Sequence, residues 1–148
     1  MAATQIVLLF LILHTLPHES IWQEWLQGAE DKLHVLIHAK YPEMVTSSWS
    51  KARLMCSHNG VPVTHRPEWG SIELLRAMMS LLKYAYTQYP QSTHMCFLSE
   101  SCIPIIPAQV FLDQVGQHPP HLSWLDVKQR PNNGYSAFQQ FVRVTKPF

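Results

Sequence analysis

The sequence predicts an α/β protein in which helices flank a mostly parallel sheet. Short apolar runs of strand length alternate along the chain with segments whose apolar residues recur at helical spacing. This alternation is typical of strand–helix–strand units, whose strands run parallel. Polar clusters follow directly after several of the apolar runs, and ligands of such sheets bind at the carboxyl ends of the strands. A ligand-binding site is therefore expected at the carboxyl edge of the predicted sheet.

The chain opens with an apolar run, Ile6–Leu13. A run this short cannot cross a bilayer as a helix, which needs about 20 apolar residues. A signal peptide would have a positive charge before such a run and a small-residue cleavage site after it, and the flanking residues supply neither. We therefore interpret the run as a strand buried on both faces rather than as a signal peptide.

Two elements follow this strand. Ser20 is placed to cap a helix that ends at Gly28. Leu33–His38 is predicted to be the second strand, and Pro42 then forces the preceding residue out of helix and marks a loop. The helix is indicated by apolar residues that recur at helical spacing: Ile21, Trp22, Trp25 and Leu26.

The middle of the chain contains the longest predicted helix, Ser71–Tyr89. Residues 43–60 before it lack periodicity and are predicted to be irregular, and Val61–Thr64 is predicted to be a short strand. The spacing in the helix predicts one apolar face, and such a face normally packs on the core. The residues of this face are Ile72, Leu75, Met79, Leu82 and Tyr86.

Two strands and a helix complete the predicted order. Thr93–Leu98 is predicted to be a strand, Ala108–Val115 a helix and Leu122–Val127 a last strand. Residues 128–148 are predicted to form an irregular tail. The whole chain, residues 1–148, is predicted to be a single but partial domain.

The composition excludes some classes of function. With a formal charge of +1 and an isoelectric point near 7.8, the chain lacks the positive charge that would attract nucleic acid or an anionic membrane. The 47% apolar content fits a folded protein rather than a disordered one. The three cysteines include no C-x-x-C pair, so we expect reduced thiols rather than a zinc knuckle.

Motifs for several common chemistries are absent from the sequence. The glycines form neither a dinucleotide-binding nor a phosphate-binding loop, and there is no G-x-S-x-G hydrolase elbow. The histidines are scattered without an H-E-x-x-H or Asp-x-Asp pattern, so no metal site is predicted. A flavodoxin-like or receiver-type binding module would need an acidic cluster or a phosphate loop after the first strand, where His14-Thr15-Leu16-Pro17 supplies neither.

The most suggestive polar cluster is Ser99-Glu100-Ser101-Cys102, which follows an apolar run. Its hydroxyls and turn amides can hold a ribose or phosphate oxygen, and Glu100 can accept hydrogen bonds from sugar hydroxyls. A polar turn that begins the next segment explains the same residues equally well. Glu68 and Trp69 can bind a sugar, since the carboxylate accepts hydrogen bonds from hydroxyls and the indole packs on the sugar ring. The pair is better explained, however, as the start of a helix whose tryptophan packs in the core.

Several segments, taken together, resemble one family in the correct order. Phe97–Ile105 resembles the LLSESCIPL signature of plant and algal members of the core-2/I-branching N-acetylglucosaminyltransferases, glycosyltransferase family 14. Glu68-Trp69-Gly70-Ser71 resembles the V-E-W-G-x-x-S segment of that family, and Ile37–Glu43 resembles Y-V-H-A-x-x-P-E. The opening strand and helix and Ser123–Tyr135 are similar to further family segments, so the resemblance runs from Gln5 to Tyr135.

The resemblance implies a GT-A-like Rossmann-type fold and inverting transfer of a sugar, usually N-acetylglucosamine or xylose, from a UDP donor to a glycan or protein acceptor. In that mechanism a carboxylate deprotonates the acceptor hydroxyl and cationic side chains stabilise the UDP leaving group. No metal or other cofactor is implied, since the family lacks the Asp-x-Asp motif. By position, Glu68 and Trp69 would contact the acceptor, and the donor would contact His14, Thr15, Leu16, Ser99, Glu100 and Ser101.

The chain also departs from the family pattern. Family members are much longer, and their catalytic base and leaving-group cations lie in a segment without a counterpart here. The catalytic residues are therefore unknown, and the alternative to an active enzyme is a fragment or pseudoenzyme that retains only nucleotide-sugar or protein binding. We expect self-association through the surface that the missing segment would cover. Family members are usually Golgi or secretory type II membrane proteins, but this sequence predicts neither a membrane anchor nor a signal peptide.

Overall fold

The structure, a computed structural model, describes residues 4–68, 70–118 and 123. The three strands are parallel and helices pack on both faces of the sheet, which confirms the predicted α/β class. The strands are β1 (Ile6–Ile12), β2 (Leu33–Ala39) and β3 (His94–Ser99). The α-helices are α1 (Glu19–Leu26), α2 (Ser48–Lys51), α3 (Ile72–Gln88) and α4 (Ala108–Gly116), and a 3₁₀ turn, Pro42–Met44, follows β2.

β1 is the central strand of the sheet, whose order is β2-β1-β3. Ile6 pairs with Leu33 on one side and with His94 on the other, and both parallel ladders continue along almost the whole of β1. All residues of β1 except Leu11 are buried. The opening apolar run is therefore a strand buried on both faces, as its composition predicts.

The side chains of β1 alternate between two cores. Leu8 and Phe10 belong to one core, which is completed by Trp22 and Leu26 of α1 and by Leu112 of α4. Val7 and Leu9 point to the opposite face and pack with α3. Because successive residues of a strand face opposite sides, β1 requires a helical layer on each side of the sheet.

The structure reverses the face on which α3 packs. The residues of α3 that are fully buried are Ala77, Leu81 and Ala85. Leu82 is half-buried, but the other four residues expected on the core face are more than half exposed: Ile72, Leu75, Met79 and Tyr86. The prediction was wrong because the distance between packed elements depends on the side chains at the contact. Small alanines let the helix approach the sheet closely. The sequence prediction counted only the large apolar residues of the helix and therefore missed this face.

α1 begins before its predicted cap. His18 is the N-cap residue and its side chain makes no capping hydrogen bond, so the prediction of Ser20 as the cap was wrong. Glu19 lies in the first turn, and its carboxylate accepts hydrogen bonds from the hydroxyls of Ser47 and Ser50. These contacts tie the start of α1 to the region of α2, whereas Ser20 is exposed inside the helix.

The segment between β2 and α3 also differs from its prediction. Residues 43–60 include a short helix, α2, which is capped by Ser47: the hydroxyl oxygen accepts the amide hydrogen of Ser50 at 3.3 Å. Val61–Thr64 does not form the predicted strand, and an isolated bridge between Pro62 and Cys56 takes its place. Two backbone hydrogen bonds flank this bridge: the Ser57 amide donates to the Val61 carbonyl, and the Val63 amide donates to the Met55 carbonyl.

Three predictions about the extent of the structure stay predictions. The last strand, Leu122–Val127, lies outside the described residues except for Ser123, and so does the irregular tail, residues 128–148. The same holds for the extent of the domain over residues 1–148. Within the described part of the chain, no helix is both long enough and apolar enough to span a membrane.

The packing of α3 can be checked with two identical substitutions. Leu81→Ala should lower the free energy of unfolding by about 2–5 kcal/mol, because it leaves a cavity between helix and sheet. Leu75→Ala changes an exposed side chain of the same helix and should alter stability by no more than about 0.5 kcal/mol. Urea denaturation at a protein concentration low enough to keep the chain monomeric measures both values. A larger loss for Leu75→Ala than for Leu81→Ala would show that the helix packs through the face expected from the sequence.

Candidate functional site

A cleft of about 540 Å³ lies at the carboxyl edge of the sheet. All three strands contribute to it, because their carboxyl ends meet at this edge. Its walls are mainly apolar, with polar groups where β2 and β3 end. The residues that line it are Leu11, Ile12, Leu13, His38, Lys40, Pro67, Glu68, Leu74, Phe97, Leu98, Ser99 and Glu100.

Glu100 links the loop after β3 to the loop after β1. Its Oε2 accepts a hydrogen bond from the amide hydrogen of Leu13 at 2.7 Å. The two residues are far apart in sequence, and the pairing of β1 with β3 brings them together. The other carboxylate oxygen, Oε1, has no hydrogen-bond partner among the residues that the structure describes. The arrangement leaves one oxygen of Glu100 for a ligand hydroxyl.

The hydroxyls of Ser99 and Ser101 lie beside this carboxylate in the sequence and close to each other in space. Their Oγ atoms are 2.9 Å apart, and Ser99 Oγ is 3.3 Å from the Cys102 sulfur. Both serines are exposed. The structure therefore gathers Ser99, Glu100 and Ser101 at one edge, as the sequence cluster indicates.

The three residues after β1 that the sequence predicts to contact the donor, His14, Thr15 and Leu16, differ in their exposure. His14 and Thr15 contact each other, with His14 Nδ1 2.8 Å from Thr15 Oγ1, and Thr15 is exposed. Leu16 is 3% exposed and belongs to the core with α1, so its side chain is not open to a ligand. Leu13, rather than these three residues, lines the cleft from this loop.

The acceptor candidates are only partly described. Glu68 lines the cleft and its side chain is 87% exposed. Its Oε1 lies 3.5 Å from the ammonium of Lys40, a cleft residue that the sequence motifs did not single out. Its position directly after β2 could have predicted that it lines the cleft, because the residues after every strand of a parallel sheet lie at this edge. Trp69 lies outside the described residues.

Two tryptophans hold the loop between β3 and α4. The Trp22 indole N–H donates to the carbonyl of Cys102 at 3.1 Å, and the Trp25 indole N–H donates to the carbonyl of Ile106 at 2.6 Å. The two rings pack edge to face, with centroids 5.5 Å apart. Since buried indoles need an acceptor, these bonds fix both the tryptophans and the loop that carries the Ser99–Cys102 cluster.

The sequence of this folded region matches one known family. The family model described as Core-2/I-Branching enzyme matches residues 6–135. The chain belongs to this family. No curated protein and no solved structure gives a significant match. The match spans all the described strands and helices, so the cleft and its polar edge lie within a glycosyltransferase family domain.

Membership of this family does not show whether the protein needs a metal ion. The described residues contain no group of three or more His, Cys, Asp or Glu side chains that could hold a metal ion. Among the described residues that line the cleft, His38 is the one histidine, and its Nε2 accepts the amide hydrogen of His65 at 2.9 Å. Metal independence of the glycosyltransferase stays a prediction.

His38 is held in its neutral form at the end of β2. It is 2% exposed, and burial, followed by the nearby His65, lowers the pKa of its imidazole to about 4. The bond from the His65 amide requires a lone pair on Nε2, which places the proton of His38 on Nδ1. The His65 ring lies 5.8 Å from that of His38 and contacts Ser80, with Nε2 and Oγ 2.9 Å apart. His38 therefore secures the loop over the cleft as an acceptor and not as a cation.

This histidine should make the fold sensitive to acid. In the unfolded chain His38 takes up a proton near its ordinary pKa of 6.5, but in the folded chain it does so only near 4. Stability should therefore be unaffected above about pH 6.5 and fall as the pH drops towards 4, by about 1.4 kcal/mol per unit of pKa difference.

Chemical denaturation at a series of pH values measures this effect. Burial also lowers the pKa of His34 and His94, so the decisive quantity is the difference between the wild type and His38→Gln, which keeps an acceptor for the His65 amide. The variant should lose less stability than the wild type between pH 6.5 and 4. Equal losses would contradict the assignment of a low pKa to His38.

Proposed function

We propose that this domain binds a UDP-sugar, with N-acetylglucosamine as the sugar, in the cleft at the carboxyl edge of the sheet. The observation that carries the proposal is the cluster of Ser99, Glu100 and Ser101 at the end of β3, beside an apolar cleft and inside the family match. Ser and Glu side chains supply acceptors and donors for sugar hydroxyls, and apolar walls suit a base or a sugar face.

In the proposed reaction the sugar moves to a glycan or protein acceptor by direct displacement. A carboxylate removes the proton from an acceptor hydroxyl, the hydroxyl oxygen bonds to the anomeric carbon, and the bond from that carbon to the UDP oxygen breaks. The configuration inverts, UDP leaves with the bonding electrons, and no metal takes part. Glu100 is proposed to orient sugar hydroxyls, because one of its oxygens already holds the Leu13 amide. The proposal assigns no residue as the base.

The remaining candidates take supporting roles in this proposal. His14 and Thr15 lie after β1 and would contact the donor from the side of Leu13. Leu16 contributes by anchoring that loop in the core rather than by touching the ligand. Glu68, exposed at the cleft, is proposed to meet the acceptor, together with Trp69 next to it in the sequence.

A second candidate function is nucleotide-sugar or protein binding without transfer, as in a catalytically incomplete fragment or a pseudoenzyme. The observation that favours it is that both carboxylates in the described lining of the cleft already have protein partners. Glu100 is bonded to the Leu13 amide and Glu68 is paired with Lys40. Each of these carboxylates is therefore already bonded to a group of the protein, and neither is held as an unpaired base.

Donor binding can be measured by isothermal titration calorimetry with UDP and UDP-N-acetylglucosamine, with and without EDTA. We expect metal-independent binding, weakened about tenfold for the UDP-sugar by Glu100→Ala because a hydrogen bond of about 1.4 kcal/mol is lost. Glu30→Ala is the matched control, since Glu30 is exposed just before β2 at the opposite edge of the sheet. Absence of binding by the folded wild type would contradict the proposal. An assay for UDP release with glycan acceptors then separates transfer from binding alone.

We also propose that the chain self-associates through the exposed stripe of α3, defined by Ile72, Leu75, Met79 and Tyr86. These residues are spaced as the seam positions of a helix pair, so the same helix of a second copy supplies a matching partner. The stripe is also the largest run of exposed apolar side chains on one described element. Such a surface is typical of an interface.

Sedimentation velocity over a range of concentrations tests the stripe. The wild type should sediment faster as its concentration rises, and Met79→Glu should remove this dependence by placing a charge in the centre of the stripe. Thr87→Glu introduces the same side chain at an exposed position of α3 beside the stripe and should behave as the wild type. A wild type that remains monomeric at every concentration would refute the proposal.

A further inference from the structure

A second groove lies between α1 and the segment that leads from β3 into α4. Its volume is about 550 Å³, and no described residue lines both this groove and the cleft at the carboxyl edge. Glu24 and Trp25 line it from α1, and Pro104 and Pro107 line it from the loop before α4. The groove is large enough for a small ligand, and the proposed donor site does not use it.

Trp25 is the largest side chain among the described residues of this groove, and it is held in one position. Its indole N–H donates to the carbonyl of Ile106 at 2.6 Å. Its ring packs against the rings of Trp22 and Phe111, with centroids 5.5 and 5.7 Å apart. Because the protein already uses the N–H, the indole offers the groove apolar carbon surface rather than a hydrogen-bond donor. Fixed apolar surface of this kind suits the C–H groups of a sugar ring.

The polar side chains of the groove are a carboxylate and two amides. Glu24 and Gln27 are exposed, and their side chains have no hydrogen-bond or ion-pair partner among the described residues. Gln109 Nε2 donates to Asp113 Oδ1 at 2.8 Å, which orients this amide and leaves its carbonyl oxygen as an acceptor. The groove thus offers acceptors on both helices and a donor on the Gln27 amide. Hydroxyl groups, which both donate and accept, match this set.

The charge of the groove distinguishes between classes of ligand. The described residues that line it include no lysine, arginine or histidine, and Glu24 is the one charged residue among them. A phosphate, sulfate or carboxylate would meet the negative charge of Glu24 without a cation to compensate it. A single exposed carboxylate holds a cation only weakly, whereas its oxygens accept hydrogen bonds from several hydroxyls. The groove therefore favours a neutral ligand with many hydroxyls.

We propose that this groove is a saccharide-binding site that takes a neutral sugar. The C–H face of one sugar ring packs on Trp25 and the neighbouring prolines. Its hydroxyls bond to Glu24 and Gln27 on one side and to Gln109 on the other. The site goes beyond the proposed donor site, since it requires neither a nucleotide nor sugar transfer.

Two-dimensional ¹H–¹⁵N NMR spectra of the full chain test the site with the neutral disaccharides lactose and chitobiose. A bound disaccharide should shift the indole N–H signal of Trp25 and the amide signal of Gly28, which lines the groove. The amide signals of Ser99 and Glu100 in the cleft should stay unchanged. Sialyllactose, which adds a carboxylate to lactose, should bind severalfold more weakly than lactose because it meets Glu24.

Two variants assign the binding to the groove. Glu24→Ala and Gln27→Ala should each weaken disaccharide binding about fivefold, since each removes a hydrogen bond to a hydroxyl. Both side chains are exposed and lack protein partners, so we expect the fold to be retained. Gln88→Ala is the matched control for Gln27→Ala, because Gln88 is exposed at the end of α3 on the opposite face of the sheet.

Several results would overturn the proposal. Groove signals that neither disaccharide shifts would refute the site, and so would an affinity that neither variant lowers. Binding of sialyllactose as tight as that of lactose would contradict a neutral ligand. A proline-rich peptide that shifts these signals when the disaccharides do not would assign the groove to a peptide instead. A parallel titration with UDP keeps the two sites distinct: UDP binding without disaccharide binding refutes this inference alone, and the reverse refutes the donor site alone.

Discussion

The burial of β1 on both faces is the constraint from which the rest of the structure follows. A strand whose neighbouring side chains point into two separate cores must pair on both edges and be covered on both faces. β2 and β3 satisfy the first requirement, and the helices satisfy the second, with α1 and α4 on one face and α3 on the other. Because all three strands are parallel, their carboxyl ends share one edge, and the polar loops that follow them must converge there.

That convergence is fixed by bonds between loops and not only by the sheet. Glu100 accepts the Leu13 amide, and Leu13 accepts the Tyr41 amide, so the loops after the three strands are joined in sequence. On the other side, Trp22 and Trp25 donate to carbonyls between β3 and α4. Groups held in place before a ligand arrives lose less entropy on binding, which is the advantage of a preorganised site. The polar edge thus owes its geometry to residues that need not touch the ligand.

The sequence predicts those features that depend on neighbouring residues, and it misses those that depend on packing. The run Ile6–Leu13 identifies β1 because its length argues against a membrane span and its flanking residues argue against a signal peptide. The packing of α3 could not be predicted in the same way, since Ala77 and Ala85 are buried for their small size and not for their hydrophobicity. The Ser99–Ser101 edge follows from its place after a strand. The pairing of Glu100 with Leu13 becomes visible only once β1 and β3 lie side by side.

The end of β2 carries two basic side chains, one neutral and one charged. His38 is buried and accepts the His65 amide, and its low pKa keeps it neutral down to about pH 4. Lys40, directly after the end of β2, also lines the cleft and carries a positive charge there. His38 therefore holds the loop without adding charge to this edge near neutral pH.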